Sequence, residues 1–290
     1  PRYVTIKAQA SKNPLITVSE RSNRKSLISH AANLMKVALG HPKDNWHIDV
    51  EIPNELKHAG LGSSSALICS VVSAINELYG NPIPDCILLK YTAQNHGEEI
   101  EGDDSNIMPV QCIGGSASAG FGEGSISIIT GESTIIASNA YVADVVIGIP
   151  SDYKPLDGKD LMESEIQELP KFRATGEKYR EEIAYTMLHN ALPNLANDYV
   201  RPLGELVFNY RFNMGSIKNC SFIYPQMIEI AKEIAPLWEE DKTLDMLSLS
   251  SVGPAFFAVG KDVSKARKHF QKVGLQVIDT KLWTGKYKIV

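Results

Sequence analysis

The sequence predicts an α+β protein with two lobes, and three observations lead to this prediction. Strand-like patterns dominate the first half of the 290 residues, helical patterns dominate the second half, and a strand–helix–strand unit lies near the end. We place the two lobes at residues 1–150 and 151–290. The composition, 43% hydrophobic and 22% charged residues, is typical of a globular chain with a sizeable core.

The individual elements follow from the spacing of apolar residues. In the first half we expect strands at 3–9, 45–52, 116–120, 125–130, 134–138 and 142–149, and helices at 26–39, 64–78 and 85–99. In the second half we expect helices at 177–192, 199–213, 225–234 and 264–273, and strands at 251–259 and 276–280. The polar segment 151–171 carries many charges and prolines, so we interpret it as a junction between lobes or a mobile loop.

Composition argues against several classes of protein. A formal net charge of −5 without a basic block argues against a nucleic-acid binder. No apolar run reaches membrane-spanning length and no signal peptide is visible, so we expect a cytoplasmic protein with no membrane partner. The four cysteines, which form no close pairs, are predicted to be buried free thiols: Cys69, Cys86, Cys112 and Cys220. Because the chain opens at Pro1 in a strand-like run, we expect a preceding N-terminal segment.

The run 60–66, Gly-Leu-Gly-Ser-Ser-Ser-Ala, is the first motif that indicates chemistry. Its glycines permit close backbone approaches, and it leads into the N-terminus of a predicted helix, where free N–H groups favour an anion. The hydroxyls of Ser64 and Ser65 can reach a Mg²⁺ ion. A serine cap after a glycine turn is the structural alternative. The run is neither a Walker-type phosphate loop nor a dinucleotide fingerprint.

Two further segments are candidates for the same site. Five acids fall within residues 98–104, which suits a hard cation that prefers oxygen ligands, although a solvated acidic helix end is the ordinary alternative. Residues 248–259 form a polar, small-residue loop that runs into an apolar strand. Such a loop can close over phosphates or substrate, or it can be a tight turn before a core strand.

The Gly-Leu-Gly-Ser-Ser-Ser-Ala run resembles the nucleotide loop of the GHMP superfamily, which includes galactokinase, homoserine kinase and mevalonate kinase. The resemblance implies a ribosomal-protein-S5-like N-terminal lobe, a ferredoxin-like C-terminal lobe, and a phosphorylated donor held with Mg²⁺. It assigns the donor-binding residues as Gly60, Leu61, Gly62, Ser63, Ser64, Ser65 and Gly253.

The stretch 98–115 resembles the homoserine-kinase branch of that superfamily. On that likeness Glu98, expected on a helix, holds Mg²⁺ together with Ser64, and Glu99 is the alternative ligand. Asn106 contacts substrate or phosphate. No Pro-Ser-Gly-x-Asp run is present, which leaves Asp103 or Asp104 as the nearby acid that can act as a base, with Asp104 assigned. The alternative is phosphoryl transfer without a base, by positioning and electrostatics alone. Ser251, in the returning loop, completes the predicted catalytic set.

The C-terminal half is similar to β-ribofuranosylaminobenzene 5'-phosphate synthase, which uses phosphoribosyl pyrophosphate. The likeness includes residues 192–198 and 248–259, whereas Ser-Ser-Ala after the glycines departs from that branch. We therefore expect an ATP- and Mg²⁺-dependent kinase of a small hydroxylated metabolite, with a phosphoribosyl pyrophosphate-dependent ribosyltransferase as the alternative. A non-catalytic binding protein is the third option. The sequence is compatible with a homodimer.

Overall fold

The mixture of helices and strands confirms the α+β class. The computed structural model describes residues 4–13, 15–19, 22, 24–52, 58–100, 103–110, 112 and 114–288, and for residues 103–105 the backbone alone. The strands are β1 Thr5–Ala10, β2 Thr17–Val18, β3 Trp46–Glu51, β4 His96–Ile100, β5 Asp103–Val110, β6 Ile126–Ile129, β7 Ile135–Asn139, β8 Asp144–Pro150, β9 Leu244–Leu249, β10 Phe256–Gly260 and β11 Leu275–Lys281. The α-helices are α1 Lys25–Leu39, α2 Ser63–Leu78, α3 Asp85–Gln94, α4 Gly115–Phe121, α5 Gly158–Thr186, α6 Leu192–Leu195, α7 Arg201–Phe208, α8 Met227–Ile234, α9 Pro236–Glu240 and α10 Ser264–Lys272. Two π-helical segments, Met187–Ala191 and Asn209–Asn213, and the 3-10 helix Ser216–Cys220 lie among them.

The first large hydrophobic cluster forms around β3 and the helices α1 and α2. In this sheet β3 lies between β1, which is antiparallel to it, and β2, which is parallel. The buried side chains of α1 recur at helical spacing: Leu27, Ile28, Ala31, Ala32 and Met35. The helix α2 is buried along much of its length because it packs against α1, α4 and β1. This packing fixes the direction in which the N-terminus of α2 points.

The second large cluster forms on the sheet β11-β8-β10-β9, in which all neighbours are antiparallel. Because β10 and β11 both pair with β8, they run parallel to each other, and α10 crosses between them. The predicted late strand–helix–strand unit is therefore confirmed. The division into lobes at residue 150 stays a prediction.

Two elements near the site differ from the sequence prediction. The helix expected at 85–99 ends at Gln94, and the chain continues as β4, paired with β5. Glu98 consequently lies on a strand, not on a helix. The strand expected at 116–120 is the helix α4, in which Ala117 and Phe121 are buried one helical turn apart. Short runs of small residues carry no clear period, which is why the pattern was ambiguous.

The segment 151–171, expected to be a junction or loop, is largely helical. The helix α5 begins at Gly158, and its N-cap Asp157 accepts a hydrogen bond from the Lys159 N–H at 2.9 Å. Only Gly158 and Leu161 of its 29 residues are buried. An exposed helix has few apolar positions that could produce a periodic signal, and Pro170 within it suggested a loop.

All four cysteines are free thiols. Burial is confirmed for Cys69 and Cys220, whereas Cys86 is exposed on α3 and Cys112 is half-buried. Within the described ranges, no helix is long and apolar enough to cross a membrane.

Candidate active site

The N-terminus of α2 presents backbone N–H groups that have no acceptor within the helix. The first bond inside the helix runs from the Ala66 N–H to the Gly62 carbonyl at 2.9 Å. The N–H groups of Ser63, Ser64 and Ser65 therefore have no helical acceptor, and they lie at the positive end of the helix dipole. Gly62 precedes them in the left-handed region at φ 70°. This is the arrangement in which helix N-termini bind phosphate or carboxylate groups.

The turn around residues 250–253 closes on the glycines of this loop. The Ser250 hydroxyl donates to the Gly60 carbonyl at 2.7 Å. Gly60 has φ 78°, and a Cβ built on it would lie 2.5 Å from the Ser250 carbonyl oxygen and 2.9 Å from that of Gly253. Only glycine fits this contact without displacing backbone. The two motifs, almost 190 residues apart in sequence, are thus in direct contact.

These segments enclose a cavity of about 140 Å³. Its lining includes His58, Gly60, Leu61, Gly62, Ser63, Ser64, Ser65, Glu98, Ser116, Leu161, Met162, Glu165, Ser251, Val252 and Gly253. The structure therefore brings together all predicted donor-binding residues, both predicted metal ligands and Ser251. The helix α5 contributes Leu161, Met162 and Glu165 to the same lining.

The other two predicted catalytic residues are placed differently. Asn106 is exposed on β5 and is not part of the cavity lining. The side chain of Asp104 lies outside the described part of the structure. Their predicted roles stay predictions.

Glu98 lies in a buried network of polar side chains. Its Oε2 accepts a hydrogen bond from the Ser64 hydroxyl at 2.7 Å and lies 3.6 Å from the Arg24 guanidinium. Its Oε1 is 3.1 Å from His96 Nε2. Since an ionised carboxylate only accepts, Nε2 of His96 carries the proton in this contact. Arg24 also donates to Ser64 Oγ at 2.8 Å and to Glu99 Oε2 at 2.5 Å.

This network keeps Glu98 ionised. Burial alone raises the pKa of Glu98, but hydrogen bonds from His96 and Ser64 and the charge of Arg24 outweigh it, so the net shift is downward. An ionised carboxylate and a hydroxyl 2.7 Å apart on a phosphate-sized cavity are suitable ligands for Mg²⁺. No group of three or more His, Cys, Asp or Glu side chains able to hold a metal occurs within the described part of the chain. Mg²⁺ needs fewer protein ligands when phosphates and waters supply the rest.

Sequence reasoning missed three residues of this site: Arg24, His96 and Glu165. Arg24 has 1% of its side chain exposed, and its left-handed φ of 60° is uncommon for arginine. Nothing in the local sequence distinguishes it from a surface charge. His96 is two residues from Glu98, and this spacing places both side chains on one face of β4 once that segment is a strand. Glu165 was missed because residues 151–171 were interpreted as a junction or mobile loop, whereas they contain the first half of α5.

A second, larger cavity of about 520 Å³ adjoins the first at Leu61. Its walls come from β6, β8, β9, β10 and α7, and nearly all of its lining side chains are apolar. Ser250 lines this cavity, whereas Ser251 and Gly253 line the smaller one. The Leu61–Ser250 region thus separates a polar cavity from an apolar one.

Comparison with protein families identifies the first part of the chain. Residues 26–115, which include the run 60–66 and Glu98, match the family model described as the GHMP kinases N terminal domain. Over these residues the chain is similar to that domain. This confirms the superfamily resemblance. A search of curated proteins gave no match.

Several solved structures share the fold of the whole chain. Lactococcus lactis galactokinase complexed with galactose has 14% identity and a TM-score of 0.66 over 99% of this chain and 87% of that one. Mevalonate pyrophosphate decarboxylase from Streptococcus pyogenes has 14% identity and a TM-score of 0.63, covering 99% and 86%. Homoserine kinase from Cytophaga hutchinsonii has 15% identity and a TM-score of 0.60, covering 98% and 86%. At identities this low, the similarity shows a shared fold only. The names of the three proteins refer to more than one reaction.

Proposed function

We propose that this GHMP protein is a kinase that transfers the γ-phosphate of ATP to a hydroxyl of a small metabolite. One observation carries the proposal. The N-terminus of α2, with its N–H groups and the hydroxyls of Ser63, Ser64 and Ser65, lines the same cavity as Glu98. The Ser64 hydroxyl donates a hydrogen bond to the Glu98 carboxylate. Phosphoryl transfer depends chiefly on positioning the phosphates and neutralising their charge, and this cavity offers groups for both.

The residues of the chain have distinct tasks in this proposal. The backbone N–H groups of residues 63–65 bind the donor's phosphate oxygens. Ser64 and Glu98 hold Mg²⁺, which when bound neutralises phosphate charge. Arg24 orients Ser64 and Glu98 through its contacts to both, and it offsets the negative charge of the two glutamates beside it. Gly253 and Ser251 line the same cavity, which supports their predicted roles.

The decisive experiment compares donors on the same protein. Isothermal titration calorimetry in the presence of Mg²⁺ should show binding of ATP and little or no binding of phosphoribosyl pyrophosphate. An assay for ADP formation, run over a panel of hydroxylated metabolites, then identifies the acceptor. Preference for phosphoribosyl pyrophosphate would overturn the kinase proposal in favour of the ribosyltransferase. Binding of ATP without turnover of any acceptor or of water would favour the non-catalytic protein.

Two serines of α2 provide a matched pair of variants. Ser64→Ala removes a hydroxyl that lines the cavity and contacts Glu98, and we expect it to weaken Mg²⁺-ATP binding about 10- to 100-fold. Ser70→Ala removes a hydroxyl that donates to the Ala66 carbonyl on the same helix, away from the cavity. Calorimetry should give wild-type affinity for Ser70→Ala. Equal affinities for both variants would contradict the proposed site.

A further inference from the structure

The acidic side chains of α5 are not equivalent. Glu163 lies 3.9 Å from Lys159, and Glu168 lies 2.5 Å from Lys171, each an ion pair within the helix. Glu165, between them, has no hydrogen bond or ion pair to any described residue. It is half-buried and lines the cavity together with Met162. One carboxylate of this helix is therefore left unpaired where a ligand would lie.

The first turns of α5 fix the position of Glu165. A Cβ on Gly158 would lie 2.7 Å from the Glu99 carbonyl oxygen and 3.4 Å from Glu98 Cβ, so the helix begins in close contact with β4. Leu161, one turn later, is buried, and Glu165 follows at i+4 on the same face. Further along, the Asn219 side chain donates to the Thr175 hydroxyl at 2.9 Å and attaches α5 to the 3-10 helix. The orientation of Glu165 toward the cavity is set by packing at both ends.

An unpaired carboxylate in a phosphate-binding cavity needs a partner from the bound ligands. Facing the donor phosphates, it would repel them. Facing a hydroxyl, it can accept a hydrogen bond and then the proton. Burial and the charge of Glu98 raise the pKa of Glu165 above its ordinary value, which makes it a better proton acceptor than Glu98. The two carboxylates of one cavity are thus suited to different tasks.

We propose that Glu165 is the catalytic base that accepts the proton of the acceptor hydroxyl, a role that rests on the proposed kinase function. The acceptor O–H bond breaks as its oxygen bonds to the γ-phosphorus. The bond from the γ-phosphorus to the bridging oxygen breaks, and ADP leaves with that electron pair. The proton resides on the Glu165 carboxylate and then passes to solvent.

The test uses the full chain with Mg²⁺-ATP, and with the hydroxylated metabolite that the acceptor panel identifies or with water as the hydroxyl. Glu165→Gln keeps the shape of the side chain, and we expect it to lower kcat about 100- to 1,000-fold with the KM for ATP nearly unchanged. Glu165→Asp should recover part of the rate. Glu165→Ala should be slow in plain buffer and accelerated by added formate, which supplies a carboxylate. Glu163→Gln is the control and should match the wild type. Glu163 lies two residues before Glu165 on the same helix, and 50% of its side chain is exposed.

Each alternative gives a distinct result. If Glu165→Gln keeps the wild-type kcat, or if formate fails to accelerate Glu165→Ala, Glu165 is not the base. A variant that needs more Mg²⁺ but regains full kcat when Mg²⁺ saturates would make Glu165 a metal ligand and overturn the assignment. Calorimetry on the wild type distinguishes failure of the proposed kinase function from failure of the Glu165 assignment alone. If the wild type fails to bind Mg²⁺-ATP, or binds it without turnover, both the kinase function and the base are wrong.

Discussion

Two walls of one cavity each present a glutamate, and the two side chains are held in opposite ways. On β4, Glu98 contacts Ser64, His96 and Arg24, and its pKa is lowered. On α5, Glu165 has no described partner, and its pKa is raised. The same side chain therefore behaves as a fixed anion on one wall and as a proton acceptor on the other. Environment, not residue type, separates the tasks.

The largest expected effect comes from removing the cation of the β4 wall. Arg24→Met leaves Glu98 and Glu99 buried or half-buried without their counter-ion, so we expect the free energy of unfolding to fall by about 3–5 kcal/mol. Urea denaturation measures this. Arg267→Met is the matched control, because its pair with Asp279 at 2.9 Å is largely exposed and is worth about 0–1 kcal/mol. Similar losses of unfolding free energy in both variants would show that burial of the Arg24 network adds nothing to stability.

A smaller effect is expected from changing the spacing between the 60–66 loop and the 250–253 turn. Gly60→Ala places a Cβ 2.5 Å from the Ser250 carbonyl oxygen at a φ of 78°, and should cost about 2–4 kcal/mol and weaken donor binding. Gly40→Ala introduces a comparable φ of 70° with nothing within 4 Å, so it reports the backbone cost alone, about 1 kcal/mol. Thermal denaturation and calorimetry compare them. Equal costs would mean that the turn simply shifts aside.

The smallest expected effect is a difference between Glu98 and Glu165 in how they make the free energy of unfolding depend on pH. It is measured without Mg²⁺ in the presence of a chelator. The folded-state pKa of Glu98 lies below the ordinary value of 4.5, so its charge stabilises the fold above that pH and the contribution is lost on acidification. Glu98→Gln should therefore lower stability near neutral pH, by about 1–3 kcal/mol, and less in acid.

Glu165 should show the reverse sign in the same measurement. Its folded-state pKa lies above 4.5, so stability is greatest below that pH and falls as the carboxylate ionises. Glu165→Gln should stabilise the protein near neutral pH by roughly 0.5–1 kcal/mol and have no effect in acid. If both variants shift stability in the same direction, the contrast between the two walls is wrong.

The prediction from sequence succeeded where a local pattern was complete. Residues 60–66 contain both the glycines that permit the close approach and the serines that supply hydroxyls, and α2 follows within one residue of the expected start. It failed where a segment is exposed or where pairing is non-local. The helix α5 buries only two residues, and β4 forms because β5 pairs with it, which a helical pattern in residues 85–99 does not reveal.

By itself, the sequence determined the α+β class and the start of α2 after the glycine- and serine-rich run at 60–66, and the family resemblance predicted that this run lies near Glu98 and Ser251. Only the tertiary structure decided that Arg24 lies between Ser64, Glu98 and Glu99, and that α5 turns Glu165 toward the same cavity. The physical reason is that backbone conformation near a glycine or a helix end depends on neighbours in sequence. The charge state and partners of a buried side chain depend on atoms brought close by folding.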